Sequence, residues 1–158
     1  MRDLAKESDV IFHEFGHAVL DEVRPGIGGT DGAALHEAYA DYFACSFTNP
    51  PEPELGEYVR PGPGMIRNLN NTNKYPGAPT QPHTRGLVWG GACWDLRKKV
   101  GGEAADYLIF GSLLFITITA PTFKYAKDQL LFVDATYAGG EYNTIIKDIF
   151  ETQRGIPV

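Results

Sequence analysis

Eight of the eleven prolines fall between residues 50 and 85, and that crowding divides the chain more firmly than any other feature. Proline has no N–H to give to a helical turn, and its ring clashes with the turn before it. The same stretch carries GPG (62–64), NLNNTNK (68–74) and PGAP (76–79), whose glycines and asparagines favour turns, and it shows no helical period. It reads as one long irregular loop. Loops of this length inside a domain often form the wall of a functional cleft.

The flanks carry helical signals. Phe12, Phe15, Val19 and Val23 recur at intervals of three and four, which predicts a helix over 9–23 that Arg24, Pro25 and Gly26 end. After PGIGGTDG (25–32), Thr30 or Asp31 is placed to cap a second helix. Ala34, Ala38, Phe43 and Phe47 carry it to a stop at Asn49, Pro50 and Pro51. Beyond the loop, helical signals cover 87–100, 103–120, 124–138 and 141–152, separated by Gly101 and Gly102, Pro121, and Gly139 and Gly140. The β-branched run 115–119 also fits a strand. The expected architecture is mainly α with little or no sheet: one domain over 1–158, made of two helices in 1–49, the loop 50–85, and a helical bundle over 86–158.

Composition narrows the partners. A net charge of −6 and a pI near 5.1 leave no extended basic run to neutralise phosphates, Arg97, Lys98 and Lys99 being the only basic cluster. Nucleic acid and anionic membrane are therefore not expected partners. The longest uncharged segment, 107–123, is interrupted by Gly111, Ser112 and Pro121 and is shorter than the roughly 20 residues of a membrane span, so it reads as a buried core helix. No charged-then-apolar secretion signal opens the chain. Cys45 and Cys93 sit in apolar stretches and read as buried free thiols, with a single disulfide as the alternative.

HEFGH, residues 13–17, carries the chemistry. On a helix His13 and His17 lie one turn apart on one face, so both imidazoles can address one ion, as a tetrahedral zinc site requires. Glu14 is offset by one residue and can flank the open coordination position, where a carboxylate takes a proton from an activated water. Twenty residues after His17 comes Glu37, and Asp41 lies one turn further on the same face of the second helix. That helix is otherwise apolar, so its carboxylates need partners. A zinc ion would satisfy Glu37, and the outer ring nitrogen of a ligand histidine would satisfy Asp41.

HEFGHAV followed by GAALHEAYADYFA resembles the gluzincin metallopeptidases, in particular the thermolysin-like and fungalysin-like groups, whose pattern is HExxH, about twenty residues or more, then ExxxD. The resemblance is strong over 9–47 and loose elsewhere. It implies a zincin-type fold like the C-terminal subdomain of thermolysin-like peptidases, with Zn2+ held by His13, His17 and Glu37, Glu14 as general base, and Asp41 orienting His13. IRNLNN (66–71) resembles the family's arginine-led stretch, so Arg67 is a candidate for holding a substrate carbonyl. A plain surface arginine is the alternative. PHTRGLVWGGACWDLR (82–97) resembles the segment with the downstream histidine that donates to the oxyanion, which implies that role for His83, against a histidine that merely caps a helix. Trp89 and Trp94 read as core.

The sequence departs from the family in three places. His36 stands where thermolysin-like enzymes often have asparagine, which opens the question of what His17 bonds to. No tyrosine lies between His17 and Glu37, where the family has one. Only 12 residues precede His13, too few for the family's β-rich N-terminal lobe, whose edge strand pairs with substrate, so that lobe is expected to be absent or to lie in a longer protein. Asp9 matches a family calcium ligand, and Glu52, Glu54 and Glu57 follow the second helix, which makes Ca2+ a secondary expectation. The resemblance implies a secreted zinc endopeptidase acting on peptide or protein substrates. The competing expectation is a non-catalytic zinc-binding domain, or a fragment that needs the missing lobe.

Overall fold

Along the second helix, Ala34, Leu35, Ala38, Tyr39, Tyr42 and Cys45 have no exposed surface. In the computed structural model, which describes residues 3–60 and 64–158, that helix is α2 (Gly29–Phe47). It is the central element, with α1 (Ser8–Val23) packed on one side and α3 (Pro82–Val100) on the other. Met1, and Gly62 and Pro63 of the GPG turn, lie outside the described residues.

Small residues set how closely these helices approach. A Cβ on Gly16 of α1 would stand 3.1 Å from the Ala40 Cα, and one on Gly86 of α3 would stand 2.8 Å from the Ala34 carbonyl oxygen. The second distance is shorter than any real Cβ contact, so glycine is required where α3 meets α2. Burying two tyrosines on α2 requires partners for their hydroxyls. Tyr39 Oη is 3.1 Å from Ser112 Oγ, and Tyr42 Oη donates to Asp106 at 2.7 Å.

The remaining elements are α4 (Gly102–Leu114), α5 (Phe123–Tyr137) and α6 (Asn143–Lys147), the last continuing as a π-helical segment over Asp148–Gln153. Within the proline-rich loop, β1 (Glu54–Leu55) and β2 (Arg67–Asn68) pair antiparallel with Leu55 opposite Arg67. Arg154, near the chain end and almost fully buried, donates to Asn71 Oδ1 and the Asn73 carbonyl and pairs with Asp95, so the loop is tied to α3. Among the described residues no helix is long and apolar enough to cross a membrane.

The mainly helical expectation holds, with four local differences. The second helix starts at Gly29, ahead of both expected caps, and neither Thr30 nor Asp31 caps it. Asp31 is buried instead, accepting from Arg85 Nε, Tyr75 Oη and the Phe123 N–H, long-range partners that replace a local cap. The third helix begins at Pro82, not at 87. Proline suits the first turn, whose N–H groups have no intrahelical acceptor, and the Gln81 side chain accepts from the Thr84 N–H. Helix α4 stops at Leu114, and 115–119 is neither helix nor strand: Ile116 is buried, and the Thr119 carbonyl accepts from the Gly28 N–H at 2.7 Å. The 107–123 segment is therefore a half-buried helix followed by a connection, with Tyr107 and Leu114 exposed. Trp89 and Trp94 are in the core, and Cys45 and Cys93 are free and buried.

Candidate metal centre

Helices α1 and α2 bring three ligand atoms to one point. His13 Nε2 is 2.9 Å from His17 Nε2 and 3.4 Å from Glu37 Oε2, and His17 Nε2 is 3.7 Å from the same oxygen. Two ligand atoms held about 2.1 Å from one tetrahedral ion stand about 3.4 Å apart, so these spacings fit a single zinc-sized cation. Glu37 Oε2 is buried and has no aligned hydrogen-bond partner, although the His83 Nε2 lies 3.3 Å away on a third side. Such an orphaned carboxylate oxygen, faced by imidazole nitrogens, suits a cation at their centre.

Asp41 fixes the orientation of His13. The His13 Nδ1–H donates to Asp41 Oδ1 at 2.7 Å, which leaves the Nε2 lone pair of the neutral ring directed at the shared point. Arg67 holds the other side of Asp41 bidentately, through Nε to Oδ2 and Nη2 to Oδ1, both at 2.7 Å. Arg67 thus differs from a free surface arginine: it is positioned by β2 and anchored by a buried carboxylate, with Nη2 also 3.5 Å from His13 Nδ1.

The electrostatics follow from this packing. Burial alone would lower the His13 pKa, but the carboxylates of Asp41 and Glu37 outweigh it and raise it to about 9. A second proton on His13 Nε2 would occupy the point that a divalent cation would take. His17 is pushed the other way, by burial and by the charge of its neighbour His13. Glu37 resists the upward push of burial because His13, His83 and His17 surround it, and its pKa falls below the usual range.

Glu14 is exposed, one residue beyond His13, and lines a small cleft of about 160 Å³ together with His13, Leu55, Ile66, Arg67 and His83. His83 sits in the first turn of α3. The Gln81 amide bridges two groups there: Oε1 accepts from the Thr84 N–H, so Nε2 faces His83 Nδ1 at 2.8 Å. An amide nitrogen donates, which makes Nδ1 the acceptor and leaves the proton of His83 on Nε2, toward the cleft. His13, Glu14, Arg67 and His83 thus line one cleft, and His17, Glu37 and Asp41 adjoin it through their contacts with His13. Gln81 was not singled out from the sequence, and neither was Asp21, which contacts His36. Their only sequence signal is position, Gln81 two residues before His83 and Asp21 one turn after His17.

The acidic residues expected to hold Ca2+ are only partly together. Asp9 and Glu57 converge together with Glu7, which was not among them, while Glu54 accepts from Asn68. The Asp9 oxygens accept from the Val10 and Gly56 N–H groups and Glu7 accepts from the Val59 N–H, so backbone donors account for these two carboxylates.

The chain is similar to bacillolysin of Bacillus amyloliquefaciens. The two are 26% identical over 145 residues, which take in 81% of this chain and 27% of that protein. This chain therefore spans about a quarter of the length of its curated relative. No protein-family model matches it.

Proposed function

We propose that the chain is a zinc-dependent endopeptidase. The observation that carries this reading is the convergence of His13 Nε2, His17 Nε2 and Glu37 Oε2 beside a cleft lined by Glu14, Arg67 and His83. The similarity to bacillolysin, a thermolysin-like zinc metalloprotease, supports it. His13, His17 and Glu37 would hold the ion. Zinc bound there supplies Lewis acidity, which polarises a peptide carbonyl and acidifies a water.

The remaining work falls to this chain's side chains. Glu14 takes the proton of the attacking water and delivers it to the leaving amine. His83 donates from Nε2 to the oxyanion that develops on the substrate carbonyl, and loss of such a donor costs about 100-fold or more in rate. Arg67 directs its free N–H groups at a substrate carbonyl while Asp41 keeps it in place. Asp41 also holds His13 in its ligand tautomer. As the resemblance implies, the substrates are peptides or proteins outside the cell.

The short span relative to bacillolysin favours a second reading, a zinc-binding portion whose cleavage needs a segment outside this chain. Cleavage of a mixed quenched-peptide library by the zinc-loaded chain separates the two, with Glu14→Gln as control. Turnover that disappears in Glu14→Gln supports a self-sufficient peptidase, and a fully active Glu14→Gln removes the base assignment. Zinc bound without turnover supports the second reading.

A further inference from the structure

His17 has a partner that the ligand assignment does not use. Its Nδ1 lies 2.7 Å from His36 Nδ1, and the two rings are 17° from parallel with centroids 4.7 Å apart. The nitrogens are far closer than the centroids, so the rings meet edge to edge, in the plane where an N–H···N bond forms. On its other side, His36 Nε2 is 3.1 Å from Asp21 Oδ1.

With a neutral His36 ring, these two contacts set the direction of each hydrogen bond in the relay. A carboxylate accepts, so the proton of the neutral His36 ring is on Nε2 and its lone pair on Nδ1. His17 must then donate from Nδ1, and its own lone pair falls on Nε2, the atom that faces His13 Nε2 and Glu37 Oε2. The placement follows from the helices: Asp21 is one turn after His17 on α1, and His36 is next to Glu37 on α2. The helix pair that gathers the ligand atoms also gathers this relay.

We propose that His36, oriented by Asp21, is a positioning residue that holds His17 in its ligand tautomer, as Asp41 does for His13. The inference rests on the reading of His13, His17 and Glu37 as zinc ligands. Losing the group behind a ligand histidine costs about 10- to 100-fold in metal affinity. The Asp21 side chain is 70% exposed and that of His36 only 18%, so solvent can replace Asp21 and its removal weakens zinc less than removal of His36.

The test pairs a structural with a thermodynamic readout. In the 15N-histidine-labelled, metal-free chain, a scalar coupling between His17 Nδ1 and His36 Nδ1, with the proton covalently on His17, is expected. Zinc affinity, measured by chelator competition, should fall about 10- to 100-fold in His36→Ala and less in Asp21→Asn. His36→Asn, whose side-chain carbonyl can accept the same N–H, should restore most of the affinity. Unchanged thermal unfolding of metal-free His36→Ala excludes a general loss of fold. A proton on His36 Nδ1, a missing coupling, or wild-type zinc affinity in His36→Ala overturns the proposal. If the wild-type chain shows the coupling but binds no zinc, the ligand reading fails and the role of His36 fails with it.

Discussion

The two long faces of α1 have exchanged the places that hydrophobicity would give them. Asp9, His13 and Leu20 are buried, and Gly16 packs on Ala40 of α2. Ile11, Phe12 and Phe15, at 48%, 36% and 63% exposure, face outward. The helical period expected from Phe12, Phe15, Val19 and Val23 is real, but of that face Val23 packs against the core while Phe12 and Phe15 are exposed. What decides the matter is partners: α2 presents Asp41 and Glu37 to His13, and a glycine lets the helices close on them. A polar face is buried where each polar atom has somewhere to bond, and an apolar face can then be left over.

The largest test of this comparison is Asp41→Asn, a near-isosteric change that removes one charge. Asp41 is 1% exposed and neutralises Arg67 while accepting from His13. Leaving a buried guanidinium without its counter-charge costs about 3–5 kcal/mol. Urea denaturation of the metal-free chain should show a loss of that size. A loss below about 1 kcal/mol, in the range of an exposed pair, would mean that Arg67 reaches water and the polar face is not sealed.

Titration gives the next largest effect. His13 has a pKa of about 9 against an ordinary 6.5. A group whose folded pKa is raised stabilises fully below its unfolded value, and that stability is lost as pH rises through the folded one. The metal-free chain should therefore lose about 3 kcal/mol between pH 6.5 and pH 9. His17 and Glu37 are both shifted downward, so their contributions change below this window and leave it to His13. Stability that stays flat across the window, or rises, contradicts the assignment. In Asp41→Asn the slope should largely disappear.

Much of this was legible in the sequence, and the part that was not has a physical cause. The spacing of His13 with His17, and of Glu37 with Asp41, is local to one helix each, and a helix of fixed pitch places each pair without further information. Arg67 and His83 come from the loop and from α3. Their approach to the same cleft depends on β1–β2 pairing, and on Gly86 lying against the Ala34 carbonyl, tertiary events that no period encodes. The helix starts failed for a related reason. Asp31 looked like a cap because a carboxylate before a helix usually serves its own backbone, but Arg85, from 54 residues away, took it. The period of α1 gives the helix but carries no sign of which side meets α2.

On the buried face, Leu20→Ala should cost about 2–3 kcal/mol, at the low end for a core leucine. Leu20 is 1% exposed, yet it also borders the apolar groove, into which neighbouring side chains can relax. Equilibrium unfolding in urea measures this directly, with an unchanged m-value as the sign that the same two states are compared. A loss under about 0.5 kcal/mol would place Leu20 with the surface residues and erase the contrast between the faces.

The smallest expected effect is the sharpest check on the outer face. Phe15 is 63% exposed and lines an apolar groove of about 320 Å³ with Phe12, Val19, Phe43, Phe47 and Phe110. If that face is open to solvent, Phe15→Ser removes little buried area and should change stability by no more than about 0.5 kcal/mol. Stability measured at two chain concentrations tells an open face from a covered one, because association stabilises the folded state by mass action and makes the midpoint concentration-dependent. A wild-type midpoint that does not move, with Phe15→Ser equal to it, means that the aromatic face bears no load in this chain. A midpoint that rises with concentration in the wild type and loses that dependence in Phe15→Ser means that the face is buried in solution, and that the inversion of α1 is the consequence of two occupied faces, one polar and one apolar.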